Sequence, residues 1–454
     1  MRKIEKRAAV CLLLALALLL GLGVFTFRFV KDGGDWVSFP ANRHLYNSKG
    51  QLSVGRILDR DGDLLSWPDE DGNRCYYANA IVRKATLHAV GDRAGNIGTG
   101  ALSAFGGKLS GYNLLTGVYS PLGQGGDLYL TLDARLNYIA WQALGGKKGA
   151  VGVYNYKTGE VLCMLSAPSF DPLDPPSDVE TNPAYEGVYM NRFLSGTFTP
   201  GSVFKTVTLT AALEQLPGVS ERAFTCTGSV NVAGDVVTCP QAHGEMTLGL
   251  ALARSCNGVF SQLASEVGAE TMERYAEKVL ASYSVNGIRT AAGSVDFSGI
   301  QIGWSAVGQG KDRVNPCALM VYMGAIANGG RAAIPQVILR TESGQGFPTS
   351  FYFPRKTGKL MESGTAETVA EMMALAVQET YGTARFPNME ICAKSGTAQV
   401  GGDKAPTAWF AGFLQNKDAP YAFVVMVEEG GSGAAAAGDV AAQVLDALVN
   451  GYVK

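Results

Sequence analysis

Three apolar segments near the C-terminus constrain the fold most: ICAKSGTAQV (391–400), TAWFAGFLQ (407–415) and YAFVVMVEE (421–429). Their links are short and hold Gly, Pro and Asp, whereas parallel neighbours need a crossover of a dozen residues or more. The three therefore form an antiparallel sheet. Upstream, GAVGVYNYKTGEVLCMLS (149–166) reads as a β-hairpin, with Gly159 supplying the positive φ of a tight turn. Adding the hairpin predicts a five-stranded antiparallel sheet. Segments with helical spacing surround it, among them DARLNYIAWQAL from Asp133, SVFKTVTLTAALEQL from Ser202 and PCALMVYMGAIANGG from Pro316. Helices on the faces of an antiparallel sheet make an α+β domain.

One residue does not suit its strand. Lys394 stands among Cys392, Ala393 and Ala398, beside Ser395, Gly396 and Thr397. Lys-Thr-Gly also occurs at Lys157–Gly159 and Lys356–Gly358. The first copy is the hairpin turn; the second lies in FPRKTGKL, whose cations and proline indicate a solvated loop. That leaves Lys394 as the copy able to carry chemistry. Ser202-x-x-Lys205 begins a helix and puts both side chains on one face, a turn apart. A serine hydroxyl needs a base, and a neutral lysine can serve. Alone, the pair is better read as an N-cap serine and a snorkelling lysine. Ser-x-Asn occurs at Ser229, Ser255 and Ser284. Only Ser255-Cys256-Asn257 lies where one buried helix ends against the next, a place suited to a rigid cleft. If the 391–398 strand borders the Ser202 helix, Lys394 projects into that cleft. Gly396 would then leave the strand edge open to a substrate backbone.

At the N-terminus, Arg2, Lys3, Lys6 and Arg7 precede Ala8–Phe27, a run without charge. Twenty helical residues rise about 30 Å, enough to cross a bilayer core. The run is longer than a cleaved signal's apolar region, so it is expected to remain as an anchor. Basic residues favour the cytoplasmic side, which puts everything beyond Arg28 outside. A formal charge of −2 gives no sign of nucleic-acid binding. The expected organisation is a cytoplasmic stub and transmembrane helix (1–30), a small membrane-proximal β and loop module (31–127), and an α+β domain (128–454). Cys226 and Cys239 bracket a hairpin-like segment with Ala233-Gly234-Asp235 at its tip. A disulfide, two free thiols, or a metal site with His243 all fit; three ligands make a weak metal site, and no metal or cofactor is assigned. Cys11, Cys163, Cys256, Cys317 and Cys392 sit in apolar contexts and read as small core residues.

The ordered set Ser-x-x-Lys, Ser-x-Asn, Lys-Ser/Thr-Gly resembles penicillin-binding proteins and serine β-lactamases. GRILDRDGDLL, YLTLDARLN, NRFLSGTFTPGSVFKT, ALARSCNGVF, VGQG, KSGTAQV and AWFAGF extend the resemblance across most of 55–450. They look like class B, the monofunctional transpeptidases; no room precedes Asp133 for a glycosyltransferase domain. Ser395 stands where Thr is commoner, and the membrane-proximal module is short for the class.

The resemblance implies that Ser202 attacks a D-Ala-D-Ala stem peptide to form an acyl-enzyme, and that β-lactams trap it. Lys205 would be the base, Ser255 a proton relay, and Asn257 a holder of Lys205 and the substrate amide. Lys394 would depress the Lys205 pKa and attract the substrate carboxylate; Ser395 and Thr397 would bind that carboxylate. Taking a lysine from about 10.4 to near 7 needs about 4–5 kcal/mol. Burial and a second cation, worth about 4 kcal/mol at 4 Å and an effective dielectric of 20, supply that scale. The implied partners are peptidoglycan stem peptides, β-lactams, the membrane and a multispanning lipid-linked glycan polymerase. Two other functions share these motifs: a D,D-carboxypeptidase or β-lactamase, in which water resolves the acyl-enzyme, and a catalytically silent scaffold.

Overall fold

The computed structural model describes residues 2–39, 45–114, 117 and 125–452. Its central sheet has five antiparallel strands: β1 (Gly149–Asn155), β2 (Val161–Ala167), β3 (Ile391–Ala398), β4 (Thr407–Leu414) and β5 (Tyr421–Val427). Their order is β3-β4-β5-β1-β2, so the Lys394 strand is an edge. The three C-terminal strands pair as their short links require, and β5 takes the β1–β2 hairpin beside it.

Every residue of β4 is buried, because both faces of the sheet are covered. Successive side chains point to opposite faces, and the register sorts them into two cores. Phe410, Val425, Val151 and Leu165 lie across one row, packed with Leu136 and Ala140 of helix Ala134–Leu144 and Val440 and Val444 of helix Gly438–Asn450. Ala411 and Val424, Gly152 and Met164 form the next row, facing the helical layer that contains Pro316–Ala327. Lys394 pairs with Ala411, and Gly396 with Trp409, so both face this second layer. Asp133 caps helix Ala134–Leu144 by accepting from the amides of Arg135 and Leu136.

The helix Arg2–Val37 is 36 residues long, extending past the apolar run that Ala8–Phe27 marks in sequence. It is long and apolar enough to cross a membrane, and its apolar window is unburied by protein. A second sheet, of six strands, follows. Its order is Pro348–Phe351, Ile338–Ser343, Gly126–Leu130, Arg56–Leu58, Leu64–Pro68, Arg74–Tyr76. Two of these strands come from within the expected 128–454 domain, and Gly126–Leu130 straddles its boundary. The linear division at 127/128 therefore does not follow the sheet.

Between helices Lys205–Gln215 and Leu248–Ala253 lies a segment of two nested hairpins: Ala223–Cys226 with Gly244–Thr247, and Ser229–Val232 with Asp235–Thr238. Ala233 (φ 53°) and Gly234 (φ 92°) form the inner turn, with positive φ at both central positions as the strand twist favours.

Gly324 of the central helix lets Tyr154 approach. A Cβ there would lie 2.2 Å from Tyr154 Oη and 2.8 Å from Tyr156 Cβ. Gly324→Ala is therefore expected to destabilise the chain by about 1–3 kcal/mol through overpacking, despite alanine's better helix propensity. The denaturation midpoint of the purified chain in detergent should fall, and an unchanged or higher midpoint would contradict this packing.

Candidate active site

The site begins with a backbone crowding that only glycines allow. Ser202 lies in a single 3₁₀ turn, Gly201–Phe204, which runs into helix Lys205–Gln215. Gly201 has φ 58°, and a Cβ there would sit 2.9 Å from Thr397 O. Gly308 lies behind the turn, where its carbonyl accepts from the Gly201 amide at 2.9 Å. A Cβ on Gly308 would meet Gly201 O at 2.2 Å. Gly396 completes the contact: a Cβ there would come within 2.7 Å of Pro200 O. This corrects the expected reason for Gly396, since the space its missing side chain frees is taken by the Ser202 turn rather than left to a substrate. Trp409 Nε1 donates to Thr199 O at 2.9 Å and fixes the turn from β4.

Lys205 Nζ lies 3.0 Å from Ser202 Oγ, 2.6 Å from Ser255 O, 3.0 Å from Ser255 Oγ and 2.7 Å from Asn257 Oδ1. Lys394 Nζ lies 3.2 Å from Ser255 Oγ, 2.9 Å from Ser395 O and 3.4 Å from Tyr381 Oη. Both ammonium-bearing side chains are fully buried, at 0% exposure. Ser202, Ser255 and Asn257 thus meet around the Lys205 amine, and Lys394 joins them through the Ser255 hydroxyl that both lysines touch. Ser255 adopts φ 55°, a left-handed conformation rare for a residue with a Cβ and costing about 1–3 kcal/mol. Ser255 turns both its carbonyl and its hydroxyl onto Lys205.

Burial, and after it the Lys394 charge, hold the Lys205 pKa well below the ordinary lysine value. Burial also brings Lys394 down to about 7. The hydrogen-bond inventory agrees with a neutral Lys205. A neutral amine has two donors and one lone pair. Ser255 O and Asn257 Oδ1 can only accept, so they take the two N–H groups. The lone pair is left for a hydroxyl proton, and Ser202 presents one.

Other expected roles fare differently. Asn257 Nδ2 donates to Thr238 O at 2.8 Å, so its donor end, expected at the substrate amide, is engaged within the protein. Ser395 and Thr397 lie on the opposite face of β3 from Lys394. Ser395 Oγ accepts from Tyr381 Oη at 3.0 Å, and Thr397 Oγ1 accepts from the Gly433 amide at 3.2 Å. Thr397 is nevertheless exposed. Tyr381 was not legible in the sequence: it follows helix Ser363–Ala376 in a π turn, outside any motif, yet touches Lys394 and Ser395. Lys157 is an exposed turn residue and Lys356 an exposed loop residue, as read. Cys226 and Cys239 are free thiols 3.7 Å apart. Cys256 is buried, as expected of a core residue, but it is no mere filler: its Sγ lies 3.8 Å from Cys239 Sγ.

The family model for the penicillin binding protein transpeptidase domain matches residues 149–450. Peptidoglycan D,D-transpeptidase PbpA of Mycolicibacterium smegmatis is 25% identical, over 95% of this chain and 95% of its own. Peptidoglycan D,D-transpeptidase MrdA of Acinetobacter baumannii is 28% identical over 61% of this chain and 45% of its own. Among solved structures, the D,D-transpeptidase domain of a peptidoglycan glycosyltransferase from Eggerthella lenta superposes with a TM-score of 0.76 at 27% identity. That match covers 88% of this chain and 99% of the other. Penicillin-binding protein A of M. tuberculosis, solved as a ceftriaxone acyl-enzyme, shares the fold at a TM-score of 0.76 and 22% identity, covering 87% and 98%.

Gly396→Ala tests the crowding. Its Cβ must part β3 from the Ser202 turn, and a displacement near 1 Å typically costs about 100-fold in rate. Labelling of Ser202 by a fluorescent penicillin should slow by that order in a chain that still unfolds cooperatively; wild-type labelling would refute the contact.

Proposed function

The chain belongs to the penicillin-binding protein transpeptidase family, and from that premise we propose that it is a class B peptidoglycan D,D-transpeptidase. The observation that carries the reading is the contact of Lys205 Nζ with Ser202 Oγ at 3.0 Å, on a fully buried amine that also touches Ser255 O and Asn257 Oδ1.

In the proposed reaction Ser202 Oγ attacks the carbonyl of the penultimate D-Ala of a stem peptide, and its proton passes to Lys205 Nζ. The backbone N–H groups of Ser202 and Thr397 hold the oxyanion, a contribution of about 3–4 kcal/mol in related chemistry. When the intermediate collapses, the C–N bond breaks, and the proton reaches the leaving amine through Ser255 Oγ. D-Ala departs and the stem remains as a Ser202 ester. An amine from a neighbouring stem then attacks that ester, surrenders its proton along the same path, and leaves as the cross-linked amide. Lys394 keeps a positive charge close to Ser255 and draws in the terminal carboxylate, aided at the exposed strand edge by Thr397. A β-lactam follows the first half of this path and stays attached, because its leaving nitrogen is tethered.

The basic flank of the N-terminal helix favours a cytoplasmic start, with the catalytic layers on the outer side. Cross-linking there needs glycan strands polymerised beforehand, which makes a multispanning lipid-linked glycan polymerase the partner of this reading.

Two experiments bear on it. Ser202→Ala should abolish labelling by fluorescent penicillin while near-ultraviolet circular dichroism is retained; persistent labelling would exclude Ser202 as the nucleophile. On the wild-type chain the adduct should persist over hours, whereas rapid loss of label with turnover would point to β-lactamase chemistry.

Labelling should also rise with pH, since only neutral Lys205 can take the proton. Lys394→Ala removes the neighbouring cation, so the Lys205 pKa climbs and the rising limb moves to higher pH. Acylation rates measured from about pH 5 to 9 should show that displacement, and a limb that stays in place would rule out the charge coupling.

A further inference from the structure

The nested hairpins of 223–247 end on the turn that holds the two partners of Lys205. Cys226 closes the strand Ala223–Cys226, Cys239 follows Asp235–Thr238, and His243 precedes Gly244–Thr247. Cys256 comes from elsewhere, between Ser255 and Asn257, as the N-terminal cap residue of helix Asn257–Val267. One ligand atom from each of the four lies within 4.8 Å of every other.

The spacings distinguish the possible uses of these sulfurs. Cys239 Sγ is 3.7 Å from Cys226 Sγ and 3.8 Å from Cys256 Sγ. A tetrahedron with Zn–S bonds of about 2.3 Å has edges of about 3.8 Å, whereas a disulfide requires about 2.0 Å. Cys239 is almost equidistant from two thiols, so a disulfide to either would leave the third without a role. His243 Nδ1 is buried and has no hydrogen-bond partner among the described residues. The Gly258 amide donates to Cys239 Sγ at 3.3 Å, the type of outer contact that orients a metal-bound thiolate. Three sulfurs and an imidazole in tetrahedral reach suit zinc, and four protein ligands make a closed, structural site.

We propose that Cys226, Cys239, His243 and Cys256 bind one structural Zn²⁺ that fastens the 223–247 hairpins to the Ser255–Asn257 turn. The metal acts on the catalytic groups by position alone. Cys256 is bonded in sequence to both Ser255, held at φ 55°, and Asn257, whose amide reaches Thr238 O next to Cys239. Zinc would hold this turn in the conformation that presents two acceptors to Lys205. The metal claim is independent of the transpeptidase reading, because its first readouts need no reaction.

The test uses the full chain purified in detergent without chelator. Mass spectrometry of the metal content should find about one zinc per chain. Exchange with Co²⁺ should give the strong visible bands and thiolate charge-transfer absorption of a tetrahedral Co²⁺–thiolate site. Cys226, Cys239 and Cys256 should alkylate only after chelation. His243→Ala, half-buried at the rim, should lose zinc to a competing chelator at least tenfold more readily, in line with the effect of removing a ligand contact. Stripping zinc from the wild-type chain should slow fluorescent-penicillin labelling about tenfold, and Zn²⁺ alone should restore it. Less than stoichiometric zinc after incubation with excess Zn²⁺, or a Cys226–Cys239 or Cys239–Cys256 disulfide mapped in chain taken from membranes without reductant, would overturn the site. Bound zinc whose removal leaves the labelling rate unchanged would overturn its positioning role.

Discussion

A fully buried amine whose charged form is disfavoured by desolvation and by a second lysine nearby is the constraint around which this protein is arranged. Lys205 has no exposure, and the Lys394 ammonium lies across a shared hydroxyl. Ionising both would place like charges close together in a poorly screened interior, where each also forfeits its hydration. Among the described residues no carboxylate figures among the influences on either group. Relief comes from giving up a proton, and the two acceptors beside Lys205 settle how the remaining N–H groups point. The left-handed backbone at Ser255 brings both its carbonyl and its hydroxyl onto Lys205.

That arrangement needs backbones closer than side chains normally permit. Gly201, Gly308 and Gly396 sit where a Cβ would strike a carbonyl oxygen or carbon of a facing segment. Their effect is to draw together an edge strand, a 3₁₀ turn and a loop from three distant parts of the chain. The sheet contributes rigidity by being covered on both faces, so β3 can be an edge strand without being a loose one. Trp409, anchored in the core and bonded to Thr199 O, carries that rigidity to the nucleophile turn.

Much of this could be read from residue order, and the rest fails for identifiable reasons. The alternation of Phe410, Ala411 and their partners in β5 announces a sheet buried on both sides, and short links fix its antiparallel sense. Ser202, Lys205, Ser255, Asn257 and Lys394 lie at the spacings of known motifs, so their meeting was foreseeable. Gly396 was read correctly as a close-approach glycine, but the approaching backbone is the protein's own; only tertiary structure says which backbone comes near. Tyr381 belongs to no periodic pattern, and its contact with Lys394 depends on a π turn that propensity does not reveal. Cys256 looked like a small core residue from its apolar context in sequence, and its nearness to Cys239 exists only once the hairpins fold back.

The six-stranded sheet contains strands from both before and after the central catalytic helices. Gly126–Leu130 leads directly into the helix capped by Asp133, while Ile338–Ser343 returns a few residues after helix Pro316–Ala327. The five-stranded sheet and its helices are therefore tethered to the six-stranded sheet at two separated points rather than through one link. Two attachments resist swivelling where one would allow it, so a rotation of the six-stranded sheet carries the five-stranded layers with it.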